Sequence, residues 1–365
     1  MPRPRVVSGR SASGYVLLED GTRLPGRTVG IRASAFGEAV FTTAMSGYQE
    51  IVTDPSFAEQ LIAFTAPMIG NYGASIERNE SDRPAARAVI MRRAGGTEWK
   101  RWLVREGIVA LEDVDTRALV LHLREHGAMR AAVVADGIDT ATTLERIEAQ
   151  PSMSGRGLVA GVSTKRRYRL GAGSTRVALI DYGCKRSIVR RLLARGAAIT
   201  VHPHDASAEA VLGERPDAIL LSNGPGDPAA LASETAVVRK LIGRVPLLGI
   251  CLGHQLLARA AGFATYKLPY GHRGANHPVR DERSGRVLVT CQNHGFAVEG
   301  DGPHVTHVSL YDGTVEGLAL TDEQACSVQF HPEAGPGPHD GWPIIERWLD
   351  GVAASRPAGV TALAS

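Results

Sequence analysis

The chain has 365 residues, 44% hydrophobic and 22% charged, with 41 basic and 38 acidic side chains and a formal net charge of +3. That length suits two domains better than one core, and the composition is that of an ordinary folded chain. The slight basic excess excludes the clustered surplus that nucleic-acid binding normally leaves, and no apolar run nears the roughly 20 residues of a membrane span.

The start, Met1–Arg10, is basic but lacks the apolar core of a secretory signal, so a cytoplasmic location is expected. Tyr15–Leu18 then reads as a short strand turning at Asp20-Gly21, a dipeptide suited to the positive φ of a hairpin. Further on, Asp115 is placed to cap a helix with Leu119, Val120 and Leu123 on one side and Gly127 past its end. The first part of the chain is therefore mixed α and β. The stretch Lys165–Arg176 (KRRYRLGAGSTR) is basic, then small and Gly-rich, and sets the expected boundary between domains at 1–170 and 176–355.

After that boundary, short apolar runs alternate with helical patterns. Val177–Ile180, Ala218–Leu221 and Val245–Ile250 read as strands, with helices around Ile188–Leu193, near Val237–Ile242 and from Cys251 onward. Continuous apolar strands between amphipathic helices predict an α/β domain with a largely parallel sheet covered by helices. Functional loops are then expected at the carboxyl ends of the strands. The tail after Asp350 is rich in Ala, Gly and Ser and is expected to fray.

Cys184, Cys251, Cys291 and Cys326 form no C-x-x-C pair, which argues against a disulfide framework and a thiolate zinc site. Among them, Cys251 stands out. In Gly249-Ile250-Cys251-Leu252-Gly253-His254 it follows a buried-type strand and precedes a helix, the G-x-nucleophile-x-G form of a nucleophile elbow. The commoner fate of a lone cysteine is burial in a core, so a partner base is needed. His331 in Gln329-Phe330-His331-Pro332-Glu333 supplies one: in extended backbone His331 and Glu333 leave the same face, and a carboxylate there can orient the imidazole. Two further segments follow strand-like runs, Ser222–Pro228, with Gly224 and Gly226, and Gln292–Phe296. Glycines there let backbone amides approach a ligand closely, as an oxyanion hole requires. The other histidines, His202, His204, His304 and His307 among them, read as structural or solvent-facing, and no metal site is visible in their spacing.

In this order the Gly-x-Gly loop, the G-I-C-x-G-H-Q elbow and the terminal H-P-E resemble the class I (triad) glutamine amidotransferases, over about Arg176 to Asp350. The resemblance implies Cys251 as nucleophile, His331 as acid/base and Glu333 as its orienter. In the first half, Phe41–Gln60 (FTTAMSGYQEIVTDPSFAEQ), Gly70-Asn71-Tyr72-Gly73, Asp115-Thr116-Arg117 and Ser152–Thr164 resemble the carbamoyl-phosphate synthetase small subunit. That resemblance implies a glutamine site of Ser56, Gly224, Gly226, Leu252, Gln255, Asn293, Gly295 and Phe296, with the Gly224 and Leu252 amides as oxyanion donors. It also implies a large-subunit partner that uses ATP with magnesium and bicarbonate to make carbamoyl phosphate for arginine and pyrimidine synthesis. No cofactor is expected on this chain, which lacks a G-x-x-x-x-G-K-[ST] loop. Two positions depart from the family pattern: Ser187 stands where Asn is usual and Ala131 where Gly is usual. An amidotransferase serving anthranilate or GMP synthesis, and a catalytically inactive scaffolding subunit, are the competing readings.

Overall fold

The computed structural model describes residues 13–355, so the basic start Met1–Arg10 and the last ten residues of the tail lie outside it. The first half is a closed seven-stranded barrel. Its strands are β1 (Ser13–Leu18), β2 (Arg23–Thr28), β3 (Ser34–Thr42), β4 (Gln60–Phe64), β5 (Ala88–Ile90), β6 (Val109–Glu112) and β7 (Met129–Val134), in the order β1-β2-β6-β5-β4-β3-β7. The expected first strand and hairpin are present, with Gly21 at φ 85° between β1 and β2. Alternation explains the closure: Val16, Leu61, Ile90, Leu111 and Val133 belong to one apolar cluster fed by every strand. The intervening Ile62, Val89 and Ala110 pack outward against Trp99 and Trp102. Helix Thr116–His126 adds Leu119 and Leu123 to the inner cluster, its first turn held by Asp115, whose side chain accepts from the Ala118 N–H. Ala131, one of the two departures, is fully buried in that inner cluster.

The second half is a ten-stranded sheet. Its strands are β8 (Tyr168–Leu170), β9 (Thr175–Asp181), β10 (Ala197–Pro203), β11 (Ala218–Leu221), β12 (Leu247–Ile250), β13 (Ala264–Asp281), β14 (Val287–Glu299), β15 (Val305–Ser309), β16 (Val315–Leu320) and β17 (Ala325–Val328). They are ordered β14-β13-β15-β16-β17-β12-β11-β9-β10-β8. The core from β17 to β10 is parallel and buried on both faces. Ala178, Ile219 and Leu247 pack into one apolar cluster, while Leu179, Leu220 and Leu248 pack into the other. Beyond β17 the sheet continues antiparallel through a long β13–β14 hairpin. Strand β8, at the carboxyl end of the region read as the first domain, pairs antiparallel with β10. The helix Trp342–Ala354 runs through the start of the tail, because Ile345 and Leu349 are buried in the core.

The two halves are joined by specific polar contacts. The Thr43 N–H donates to the Arg273 carbonyl at 3.0 Å and the Ala128 N–H to the Pro269 carbonyl at 2.7 Å, which ties the barrel to β13. Ser187, the other departure, donates from both its N–H and its hydroxyl to the buried Glu80 carboxylate, at 2.9 and 2.8 Å. It therefore fastens the helix Arg186–Ala194 to the first half.

Candidate active site

Parallel strand β12 ends at Ile250, and helix Leu252–Ala260 begins one residue later. Cys251 makes that turn at φ 53° and ψ −104°, a conformation costly for a residue with a side chain. The surroundings hold it there: the Cys251 N–H donates to Val328 O of β17 at 2.9 Å and the Gly253 N–H to Ser222 O at 3.0 Å. Only glycine fits on either side. A Cβ at Gly249 would meet Gly253 O at 2.6 Å, and one at Gly253 would meet Leu221 O at 2.3 Å. The thiol is thus projected from the carboxyl edge of the sheet at a helix N-terminus, 2% exposed, with Sγ 3.7 Å from the Asn293 carbonyl.

Beyond the end of the adjacent β17, His331 Nδ1 lies 2.7 Å from Glu333 Oε1. A ring N–H donated there leaves Nε2 as the acceptor nitrogen; it has no hydrogen-bond partner, and Cys251 is near enough to help raise the ring's pKa. Burial works against the imidazolium, but the Glu333 carboxylate outweighs it, and the His331 pKa is held well above the ordinary value. Glu333 is itself held by the Lys185 ammonium, 2.9 Å from the same Oε1. Burial would raise Glu333, yet Lys185 and His331 keep its pKa well below the usual carboxylate range. For Lys185, burial is outweighed by Glu333, Asp54 and Glu80, and its pKa is raised. Among the other thiols, burial raises Cys184, Cys291 and Cys326, the last to about 11.

Ser56, Gly224, Gly226, Cys251, Gln255, Asn293, Gly295 and Phe296 line one cavity. Gly224 and Gly226 are dictated by packing, since a Cβ would meet Tyr182 O at 2.3 Å and Arg156 O at 2.6 Å respectively. The Leu252 side chain points into the core, while its N–H, in the first helical turn, has no partner within the helix. The Gln255 amide donates to Phe296 O at 2.8 Å and Gln329 Oε1 at 3.0 Å, so it braces the cavity wall. Ser56 reaches the cavity from the first half. It sits in the turn Pro55–Phe57, where its N–H donates to Asp54 Oδ1, and its hydroxyl accepts from Asn223 Nδ2 at 2.9 Å.

Four residues the motifs did not single out also belong here. Asp54 bridges the two halves, accepting from Asn293 Nδ2 at 2.9 Å as well as from the Ser56 N–H. Lys185 completes the charge chain behind Glu333. Glu38 and the almost fully buried Arg273 bring opposite charges to the cavity wall, where burial lowers Arg273 to about 10 and leaves it charged at neutral pH. Asp54 lies inside the D-P-S stretch and Lys185 inside the Asp181–Ser187 stretch, both already compared with the family; Arg273 carries no local signal of its own.

Residues 178–349 match the family model described as glutamine amidotransferase class-I, which is the class that this fold and cysteine site define. Residues 16–133 match the carbamoyl-phosphate synthase small chain, CPSase domain. The carbamoyl phosphate synthase small chain of Parasynechococcus marenigrum is 43% identical, over 98% of this chain and all of that protein. Those of Salmonella typhimurium and Escherichia coli K12 are each 42% identical, over 93% of this chain and 97% of theirs. The chain belongs to the family of carbamoyl phosphate synthase small chains, the glutamine-hydrolysing component of that enzyme.

Proposed function

We propose that Cys251, His331 and Glu333 hydrolyse glutamine to glutamate and ammonia, and that the ammonia passes to a large subunit that makes carbamoyl phosphate from bicarbonate and ATP. The observation that carries this reading is the strained Cys251 at a helix N-terminus beside an imidazole whose other nitrogen is held 2.7 Å from Glu333. The thiolate attacks the side-chain carboxamide carbon, and the Gly224 and Leu252 N–H groups receive the oxyanion. His331 Nε2 gives its proton to the departing ammonia, leaving a glutamyl thioester. It then takes a proton from the water that attacks the thioester, and returns it to sulfur as glutamate leaves. Glu333 keeps Nδ1 protonated throughout. Glu38 and Arg273 suit the ammonium and carboxylate of a zwitterionic substrate, with Ser56, Asn293, Gly295 and Phe296 around it.

Ammonia released into neutral water is mostly protonated and no longer nucleophilic, so the product must be handed to the synthetase within the assembly. That requirement supports a docked large subunit, with magnesium and ATP bound there, serving arginine and pyrimidine synthesis in the cytoplasm. Ser56 and Asp54 link such docking to chemistry, since both belong to the first half and both touch groups around the cavity. Titrating the large subunit, with ATP and bicarbonate, into this chain while following glutamate and carbamoyl phosphate tests the reading. The expected result is slow glutamate production by the chain alone and acceleration on docking. Unchanged glutamate production, or none coupled to carbamoyl phosphate at saturating partner, would contradict it.

A further inference from the structure

In the cavity wall at His294 and behind it, three side chains turn polar atoms without hydrogen-bond partners on one another. His272 comes from β13, His294 from β14 and Glu316 from β16, and all three are buried. His272 Nδ1 lies 3.5 Å and His294 Nε2 3.8 Å from Glu316 Oε1, and one ligand atom from each lies within 4.8 Å of the others. None of these three atoms has a hydrogen-bond partner. Three unpartnered polar atoms in one buried spot are costly unless a further group satisfies them.

The outward atoms are all engaged. His272 Nε2 is 2.8 Å from Asp312 Oδ2, His294 Nδ1 is 2.8 Å from Phe296 O, and Glu316 Oε2 accepts from Gln292 Nε2 at 2.8 Å. A ring that donates outward to a carboxylate or carbonyl keeps its other nitrogen as a lone pair facing inward, the arrangement typical of metal-bound histidine.

We propose that His272, His294 and Glu316 form a site for one divalent transition-metal ion of the zinc class. Two imidazole nitrogens and a carboxylate oxygen favour zinc and its neighbours over magnesium or calcium, which take oxygen-only cages. Tetrahedral zinc sets its donors about 3.3 Å apart, so the 3.5 and 3.8 Å separations need little contraction. Side-chain rotation on fixed strands closes the remaining one. The ion would strap β13, β14 and β16 together. Because His294 stands between Asn293 and Gly295, the strap would stiffen the cavity wall and take no part in the chemistry at Cys251.

The test uses the full-length chain stripped with a chelator, dialysed, and given zinc alone, then cobalt alone. The expected result is one tightly held ion per chain, a raised Tm, and the visible spectrum of tetrahedral cobalt without a thiolate charge-transfer band. Glu316→Gln keeps the shape and removes the charge, and His272→Gln removes one nitrogen; each should weaken zinc binding by about tenfold or more. The half-buried His122 and exposed His126, with rings stacked 4.3 Å apart, are the obvious adventitious competitor, and His126→Gln should leave the tight ion in place. Should either cluster variant fail to fold, the wild-type stoichiometry and cobalt spectrum decide alone. No uptake by the wild-type chain, uptake unchanged in folded Glu316→Gln, loss in His126→Gln, or a thiolate band each overturns the proposal.

Discussion

At the scale of single residues, the site is a chain of charges ending on a thiol. Lys185 fixes Glu333, Glu333 fixes His331 Nδ1, and in the proposed triad His331 Nε2 serves Cys251. The members do different work, so their removal should differ. His331→Asn is expected to lower glutaminase turnover by about a thousandfold, because the imidazole moves every proton. Glu333→Gln should cost a clearly smaller factor, since it loosens the ring without removing it. Single-turnover measurement of thioester formation and hydrolysis separates the two, and near-normal turnover in both variants would exclude the triad. Lys185→Met leaves a buried carboxylate with only His331 to neutralise it. Destabilisation of about 3–5 kcal/mol in urea unfolding is expected. Glu333, whose folded pKa is depressed, contributes stability that is present above the ordinary carboxylate pKa and lost as pH falls through the folded value. In Lys185→Met that loss should therefore begin at higher pH.

At the scale of elements, what was legible in the sequence was local. The strands β9, β11 and β12 are short apolar runs, and the helix after Asp115 has its cap, its buried stripe and its terminal glycine within a dozen residues. The elbow was legible for the same reason, because strand, cysteine and helix are contiguous. Element β13 was not. Its sequence ATYKLPYGHRGANHPVRD carries Pro269, Gly271, Gly274 and Pro278, ordinary loop signals, yet it is one strand of 18 residues. Register shifts between Lys267 and His272 and between Gly274 and His277 absorb the breakers, and pairing with β14 supplies order that no local pattern encodes. This hairpin presents Arg273 to the cavity and His272 to the cluster behind it, so both escaped notice. The elbow itself depends on a helix and a strand in near contact. Gly253→Ala should cost about 1–3 kcal/mol in urea unfolding and depress glutamine hydrolysis, because its Cβ would strike Leu221 O. A stable, fully active variant would contradict the packing account.

At the scale of the whole molecule, the barrel contributes to the site as well as standing beside it. Barrel closure requires β7 to pair with both β1 and β3, and the site requires Asp54 and Ser56 to meet Asn223 and Asn293. Such separations leave no periodic trace in a sequence. Family motifs located Ser56 all the same, whereas the pairing of Lys185 with Glu333 emerged only from the fold. Both halves thus build the cavity around Cys251, and the function proposed above makes it a glutamine site whose product is used by another chain. The most direct test of that claim is Cys251→Ser in complex with the large subunit, assayed for carbamoyl phosphate with glutamine and separately with ammonia. The account predicts that glutamine-dependent synthesis disappears while ammonia-dependent synthesis stays near the wild-type rate, since only hydrolysis needs the thiolate. Retained glutamine-dependent synthesis, or loss of both activities in an intact complex, would contradict it.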